Sequence, residues 1–261
     1  GALYFSDSLI LEWNNAAVMF ESPVEAQIGV VLLSHQLNYF DILPLYVVLI
    51  AIAPVVVLLD RISGWLLLAV SAAIYVLTLW FGVNIPTWPV EGRWFFNPLA
   101  WQFLFALGYI AADPRGPAAA VWRWRNVLRW IALPFVVLGV WVAWIGWSPD
   151  PLKVPSPPLF FMFDKNYVSP ARIIHLVFIG LLLNGLFSYM DRWARPVSAY
   201  FSLLGRNSLN VFCAGSILSL GGQFVRYGLG GGLLVDTAML AFGVCALGGV
   251  AWLSEWRERV P

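Results

Sequence analysis

Arg93, Asn97, Trp101 and Gln102 stand at the mouth of an otherwise apolar run, GRWFFNPLAWQFLFALGYIAA (92–112). A membrane span needs about 20 mostly apolar residues, and any polar group it carries inward must find a partner or line a cavity. Asn97 and Trp101 are four apart and share a helix face. A purely anchoring helix would have Leu or Val there, so this spacing points to a polar ligand handled near one membrane face. Trp88, Trp94 and Trp101, beside Arg93 and Asn97, suggest an aromatic platform of the kind that stacks on sugar rings. Most of the 15 Trp read instead as interfacial anchors.

Two more stretches bring polar residues to span mouths. NYFDILPLY (38–46) places Asp41 at the start of a run and Tyr46 about one and a half turns deeper. DKNYVSPARIIH (164–175) starts a helix at Ser169-Pro170 and sets Arg172 and His175 on one face, three apart. An ionisable residue inside a span is costly and is a functional candidate by default. His175, whose unperturbed pKa lies near neutrality, suits a general acid or base, or a group that hydrogen-bonds substrate. The competing account is a neutral imidazole bonded to a neighbouring helix. For Asp41 the competing account is a structural clamp with Arg172 or Lys165. His35 reads as an interfacial residue on an amphipathic helix.

A fourth stretch, GRNSLNVF (205–212), carries Arg206 and Ser208 at the start of a span. A helix N-terminus with Arg, Ser and free backbone N–H groups suits a phosphate or pyrophosphate. A simply capped helix start accounts for it equally well. Cys213 and Cys245 read as small buried apolar residues, and no spacing suits a metal.

The elements that must position these residues are membrane helices. Hydrophobic residues make up 61% and charged residues 11% of 261 positions, with mean hydropathy +0.78. A soluble domain is about a quarter charged, so the surface here is lipid. The net charge of +1 excludes a basic nucleic-acid-binding protein. Seven runs are apolar enough to span: 41–60, 64–83, 96–112, 127–147, 172–190, 208–226 and 233–253. The expected fold is thus all-α, a polytopic bundle of about seven transmembrane helices forming one domain over 41–261. Residues 1–40 read as an extracytoplasmic interfacial segment. Within it, 21–40 forms an amphipathic helix capped by Ser22, with Pro23 at its first position and Glu25 three residues after the cap.

Residues 1–60 contain no Lys or Arg. With that end outside, ten basic residues fall in cytoplasmic connections (Arg61, Arg115, Arg123, Arg125, Arg129, Arg192, Arg195, Arg206, Arg257, Arg259). Five fall outside (Arg93, Lys153, Lys165, Arg172, Arg226), which satisfies the positive-inside rule and puts the C-terminus in the cytoplasm. The longest outer connection, 148–171, contains six prolines and is long enough to fold over a cavity.

NYFDILPLYVVLI, WFFNPLAWQFLFALG, YVSPARIIHL and LGRNSLNVF, in this order, resemble the OpgC family over nearly all of 1–225. These are membrane succinyltransferases of osmoregulated periplasmic glucans, within the acyltransferase-three superfamily. The resemblance implies an O-acyltransferase of the bacterial inner membrane that carries an acyl group, succinyl, from cytoplasmic acyl-CoA to a hydroxyl of a periplasmic glucan. Asp41, Tyr46, Asn97, Trp101, Gln102, Arg172 and His175 would then shape the acceptor side. Arg206 and Ser208 would hold the phosphates of succinyl-CoA, which is a donor substrate and not a bound cofactor. The resemblance also implies about three further spans and a catalytic His upstream of Gly1, so the chain is expected to be a fragment, the alternative being a degenerate homologue without activity. The alternative is a transporter or flippase-like protein for an anionic solute, with Arg172 and His175 in its path.

Overall fold

Apolar side chains at almost every position of a run leave only one way to satisfy its backbone in lipid, which is the helix. A computed structural model describes residues 15–37 and 40–259, and it is helical nearly throughout. In chain order the elements are α1 (Val18–Glu21), α2 (Pro23–Val31), α3 (Ile42–Ile62), α4 (Gly64–Phe81), the antiparallel hairpin β1 (Pro86–Thr87) and β2 (Gly92–Arg93), and α5 (Pro98–Ala112). They continue with α6 (Ala119–Trp144), α7 (Pro170–Trp193), α8 (Arg195–Arg206), α9 (Ser208–Leu229) and α10 (Leu233–Arg259). Short 3-10 turns lie at Gly116–Ala118 and Pro158–Phe160. Residues 1–14 of the expected interfacial segment, with Asn38, Tyr39, Val260 and Pro261, lie outside the described residues.

Six helices, among the described residues, are long and apolar enough to cross a membrane. The seventh run is the difference: it folds as α5, an apolar helix of 15 residues. Asn97-Pro98 starts it and the Asp113-Pro114 step ends it, so its length is set by its flanks. Pro98, Gln102, Ala106 and Ile110 are buried at four-residue spacing, so one stripe of α5 packs inward. It rests on α4, and more lightly on α3. Two clusters fill the contact: Tyr75, Leu79, Ala100, Tyr167, Val168 and Ile173 at one level, and Val56, Leu67, Ala106, Ile110 and Ala118 at another. The shortest apolar helix is therefore the core of its unit.

By packing, the chain divides into two compact units, Gly1–Leu183 and Asn184–Pro261, with the boundary inside α7. Residues 41–261 are expected from sequence as one domain, and this boundary falls within them. In the first unit, α6 and α7 run antiparallel, linked by Arg129 Nε donating to the Leu181 carbonyl at 3.0 Å and by the Phe135–Phe178 rings at 5.3 Å. Gly139 lets them approach closely, because a Cβ there would collide with the His175 ring. The second unit joins α8, α9 and α10.

α2 begins where Ser22-Pro23 predicts, but it ends at Val31 instead of continuing to 40. Leu33 adopts φ +61, and the Ser34 and His35 amides both donate to the Gly29 carbonyl, which turns the chain back. The Ser22 side chain makes no capping hydrogen bond, so the expected capping box does not form. The buried face of α2 is only Ala26 and Gly29. Gly29 lies against His35 and the Trp88 carbonyl, leaving no room for a Cβ. Ser34 and Trp88 exchange two hydrogen bonds, at 3.0 and 3.1 Å, which dock α2 on the hairpin.

A candidate site at the hairpin end

The hairpin, the α4 C-terminus and the starts of α5 and α7 meet at one end of the first unit. Asn97 is the joint. Its side chain is fully buried, its Oδ1 accepts from the Leu99 amide at 3.1 Å, and its Nδ2 donates to the Val83 carbonyl at 2.7 Å. Its own amide donates to the Asn166 carbonyl at 3.2 Å. One residue thus caps α5 and ties it to the loop after α4 and to the segment before α7. Gln102 is engaged as well: it accepts from Ser71 Oγ at 2.6 Å and donates to the Ser71 and Leu99 carbonyls.

The segment before α7 is held just as firmly. Val168 sits at φ +47, which a β-branched residue avoids unless its surroundings over-determine it. Tyr75 Oη donates to the Val168 carbonyl at 2.7 Å. Tyr167 Oη donates to the Gly82 carbonyl at 2.9 Å, and the Tyr167 amide donates to Asp164 at 3.0 Å. This clamp presents Ser169, which is fully buried and whose Oγ has no partner. The Pro-rich connection packs here too, with Leu159 and Phe160 against the Tyr75 cluster.

Around these latches lie polar atoms that the protein leaves unused. Among the described residues, six buried side-chain atoms lack a hydrogen-bond partner: His35 Nε2, Gln36 Nε2, Trp94 Nε1, Trp101 Nε1, Ser169 Oγ and His175 Nε2. They lie in the turn after α2 (His35, Gln36), just after β2 (Trp94), in the first turn of α5 (Trp101), just before α7 (Ser169) and in its second turn, where His175 packs on α6. Buried polar groups without partners are uncommon, because each forfeits its hydration. Indole and amide N–H groups beside aromatic faces suit a neutral ligand rich in hydroxyls. Burial holds the His35 imidazole below its ordinary value, opposed by a hydrogen bond with the Asn15 backbone. Burial pushes the Asp41 carboxyl up, opposed by nearby backbone amides. Both groups are thus biased toward their neutral forms.

The residues singled out from sequence are only partly brought together. Asn97, Trp101 and Gln102 share the start of α5, and Asn97 reaches the segment that leads to Arg172 and His175. Arg172 is exposed, and its Nε and Nη2 donate to the Phe163 carbonyl at 3.2 and 3.1 Å. His175 packs against Gly139. Asp41 makes no ion pair with Arg172 or Lys165 among the described residues, and Tyr46 is half exposed. The three tryptophans do not form one platform: Trp94 is buried, Trp88 is exposed, and Trp101 meets Phe96 edge-on at 4.9 Å. Sequence reasoning passed over Tyr75 and Tyr167, and took Ser169 only as the start of a helix. Ser71 and Tyr75, four apart on one face of α4, carried a usable signal.

In the second unit, Arg206 Nη2 pairs with Glu255 Oε1 at 2.8 Å, and its Nε donates to the same oxygen at 2.9 Å. Asn210 donates to Ser254 at 3.1 Å. Ser208, the first residue of α9, is exposed, and no side chain caps that helix. Both cysteines are free thiols, and no group of His, Cys, Asp or Glu among the described residues stands as a metal site.

Residues 1–259 match the family model described as OpgC protein. The chain belongs to the OpgC family. Its apolar helices make it a multi-pass membrane protein, and membership in OpgC supports a membrane acyltransferase-like function in glucan modification. No protein of curated function and no solved structure matches it. Within the OpgC family, the hairpin end is where this chain has polar capacity to spare.

Proposed function

We propose that the chain works in a membrane-embedded O-acyltransferase of the bacterial inner membrane. It moves an acyl group, succinyl, from cytoplasmic acyl-CoA to a hydroxyl of a periplasmic glucan. In the step, a glucan hydroxyl oxygen attacks the thioester carbonyl, an ester C–O bond forms and the C–S bond breaks. The hydroxyl proton passes to a base and then to the departing CoA thiolate. The observation that supports this reading, beside OpgC membership, is the set of six buried, unpartnered polar atoms at the hairpin end.

In this reading the hairpin end receives the glucan. His35 lies there and His175 lies in the second turn of α7 against Gly139, each with an unpartnered Nε2, so each is a candidate to handle the hydroxyl proton. Arg172, exposed at the start of α7, would meet the acceptor from solvent. The donor's phosphates would meet Arg206, Ser208 and the uncapped amides of α9. Glu255 must then release the Arg206 guanidinium, since a carboxylate and a phosphate compete for it.

The test is acyl transfer in sealed vesicles carrying the intact encoded protein, with labelled succinyl-CoA on one side and glucan on the other. Label should appear in glucan as an alkali-labile ester. Net movement of an anionic solute with no ester formed would sink the transferase reading in favour of a transporter.

A further inference from the structure

At the other end of the first unit a groove of about 620 Å³ opens between the ends of α3, α4 and α5 and the turn after α5. Asp60, Gly64, Tyr109, Asp113, Arg115 and Pro117 line it. Its base depends on a close approach: a Cβ on Gly64 would lie 3.0 Å from Pro117 Cδ and 3.3 Å from Asp60 Oδ1. Asp60 receives a long hydrogen bond from Tyr109 Oη at 3.4 Å and makes no ion pair among the described residues. Arg115 meets Asp113 at 3.7 Å, with its side chain 90% exposed, so most of its donors remain available. The lining therefore offers a carboxylate without a cation and a guanidinium only loosely held. They sit in the last turn of a span and just beyond another, the depth of lipid headgroups.

We infer that this groove binds a phospholipid whose headgroup joins a primary ammonium to a phosphodiester. The ammonium meets Asp60 and Tyr109, the phosphate meets Arg115, and the acyl chains lie along α3 and α4. A ligand with only negative charge suits it poorly, because two carboxylates face the groove. The inference is independent of the acyl-transfer reading, since neither end of that reaction uses these residues.

The test reads lipid retained by the intact protein, by native mass spectrometry after exchange into nanodiscs. The discs contain equal amounts of phosphatidylethanolamine, phosphatidylcholine and phosphatidylglycerol. Retained phosphatidylethanolamine should exceed phosphatidylcholine several-fold, because three N-methyl groups remove the ammonium donors. Asp60→Asn should abolish that preference, a drop of about tenfold for one charge-assisted contact. Arg115→Ala should lower retention of both zwitterionic lipids, and Asp150→Asn, outside the groove, should change nothing. Variants are compared only where their unfolding midpoints in detergent match the parent, and Asp60→Glu, which keeps the charge, should retain the preference. Equal retention of all three lipids, a preference for phosphatidylglycerol, or an unaltered preference in Asp60→Asn overturns the assignment. So does displacement by soluble glycerophosphoethanolamine at lipid-equivalent concentration, which would make the ligand a free phosphoamine.

Discussion

The hairpin end of the first unit and the α8–α9–α10 junction of the second treat polar groups in opposite ways. At the junction, Arg206, Asn207, Asn210, Ser254 and Glu255 spend their hydrogen bonds on one another. At the hairpin end, Asn97, Gln102, Tyr75 and Tyr167 are fully engaged, yet six neighbouring buried atoms are not. A junction whose side chains pair internally must first break the Arg206–Glu255 contact before it can take a ligand. An end that builds rigid latches and leaves buried polar atoms unpartnered is the better candidate for a ligand, because each such atom has given up its hydration without a replacement.

The contrast breaks most readily at Asn97. Asn97→Ala removes the cap of α5 and its tie to the Val83 carbonyl, so it should cost about 1–3 kcal/mol of stability. Detergent unfolding that shows no loss would mean the latch is not structural. Next is Arg206→Ala in the intact protein, which should raise the KM for acyl-CoA about ten- to a hundred-fold if the phosphates are held there. Stability should fall by only about 0.2–1 kcal/mol, because the Arg206 side of the pair is largely exposed. Glu255→Gln should lower the same KM. If neither variant alters donor kinetics, the junction is purely structural and the comparison sharpens.

Trp101→Phe is the matching test at the hairpin end. It deletes an N–H that no protein atom accepts, so stability should stay within about 0.5 kcal/mol. The KM for glucan should nevertheless rise about tenfold. A loss of stability with unchanged acceptor kinetics would count against a ligand there. The smallest effect concerns His35. Its folded pKa lies below the ordinary 6.5, so the unfolded state takes up the proton first. Its contribution is in place above pH 6.5 and is lost as pH falls through the depressed folded value. The parent should therefore lose stability relative to His35→Gln on acidification and not above neutrality. Asp41, whose raised pKa has the opposite sign of effect, is common to both proteins and cancels.

Much of the fold was legible because lipid imposes it. Runs such as 42–62 and 64–81 had no alternative to a helix, and the family was readable from four motifs in order. What escaped depends on contacts distant in sequence. Tyr75 meets Val168 across 93 positions, and Arg206 meets Glu255 across 49, so neither pairing shows in local spacing. Asn97 was rightly marked as unusual, but its type alone could not say that its amide would be spent on Val83. The early end of α2 escaped because Leu33 carries no sign of a left-handed turn, a conformation usually left to Gly or Asn. Asp60, Tyr109 and Arg115 read as boundary charges and one more aromatic until three helix ends drew them together.

The brevity of α5 has a consequence for transport distance. At 1.5 Å per residue its 15 residues measure about 22 Å, against a hydrocarbon layer of about 30 Å. A bilayer matched to this helix would be thinner around it by several ångströms. A group handed from one aqueous compartment to the other beside α5 crosses a shorter oily path than it would anywhere else along the first unit.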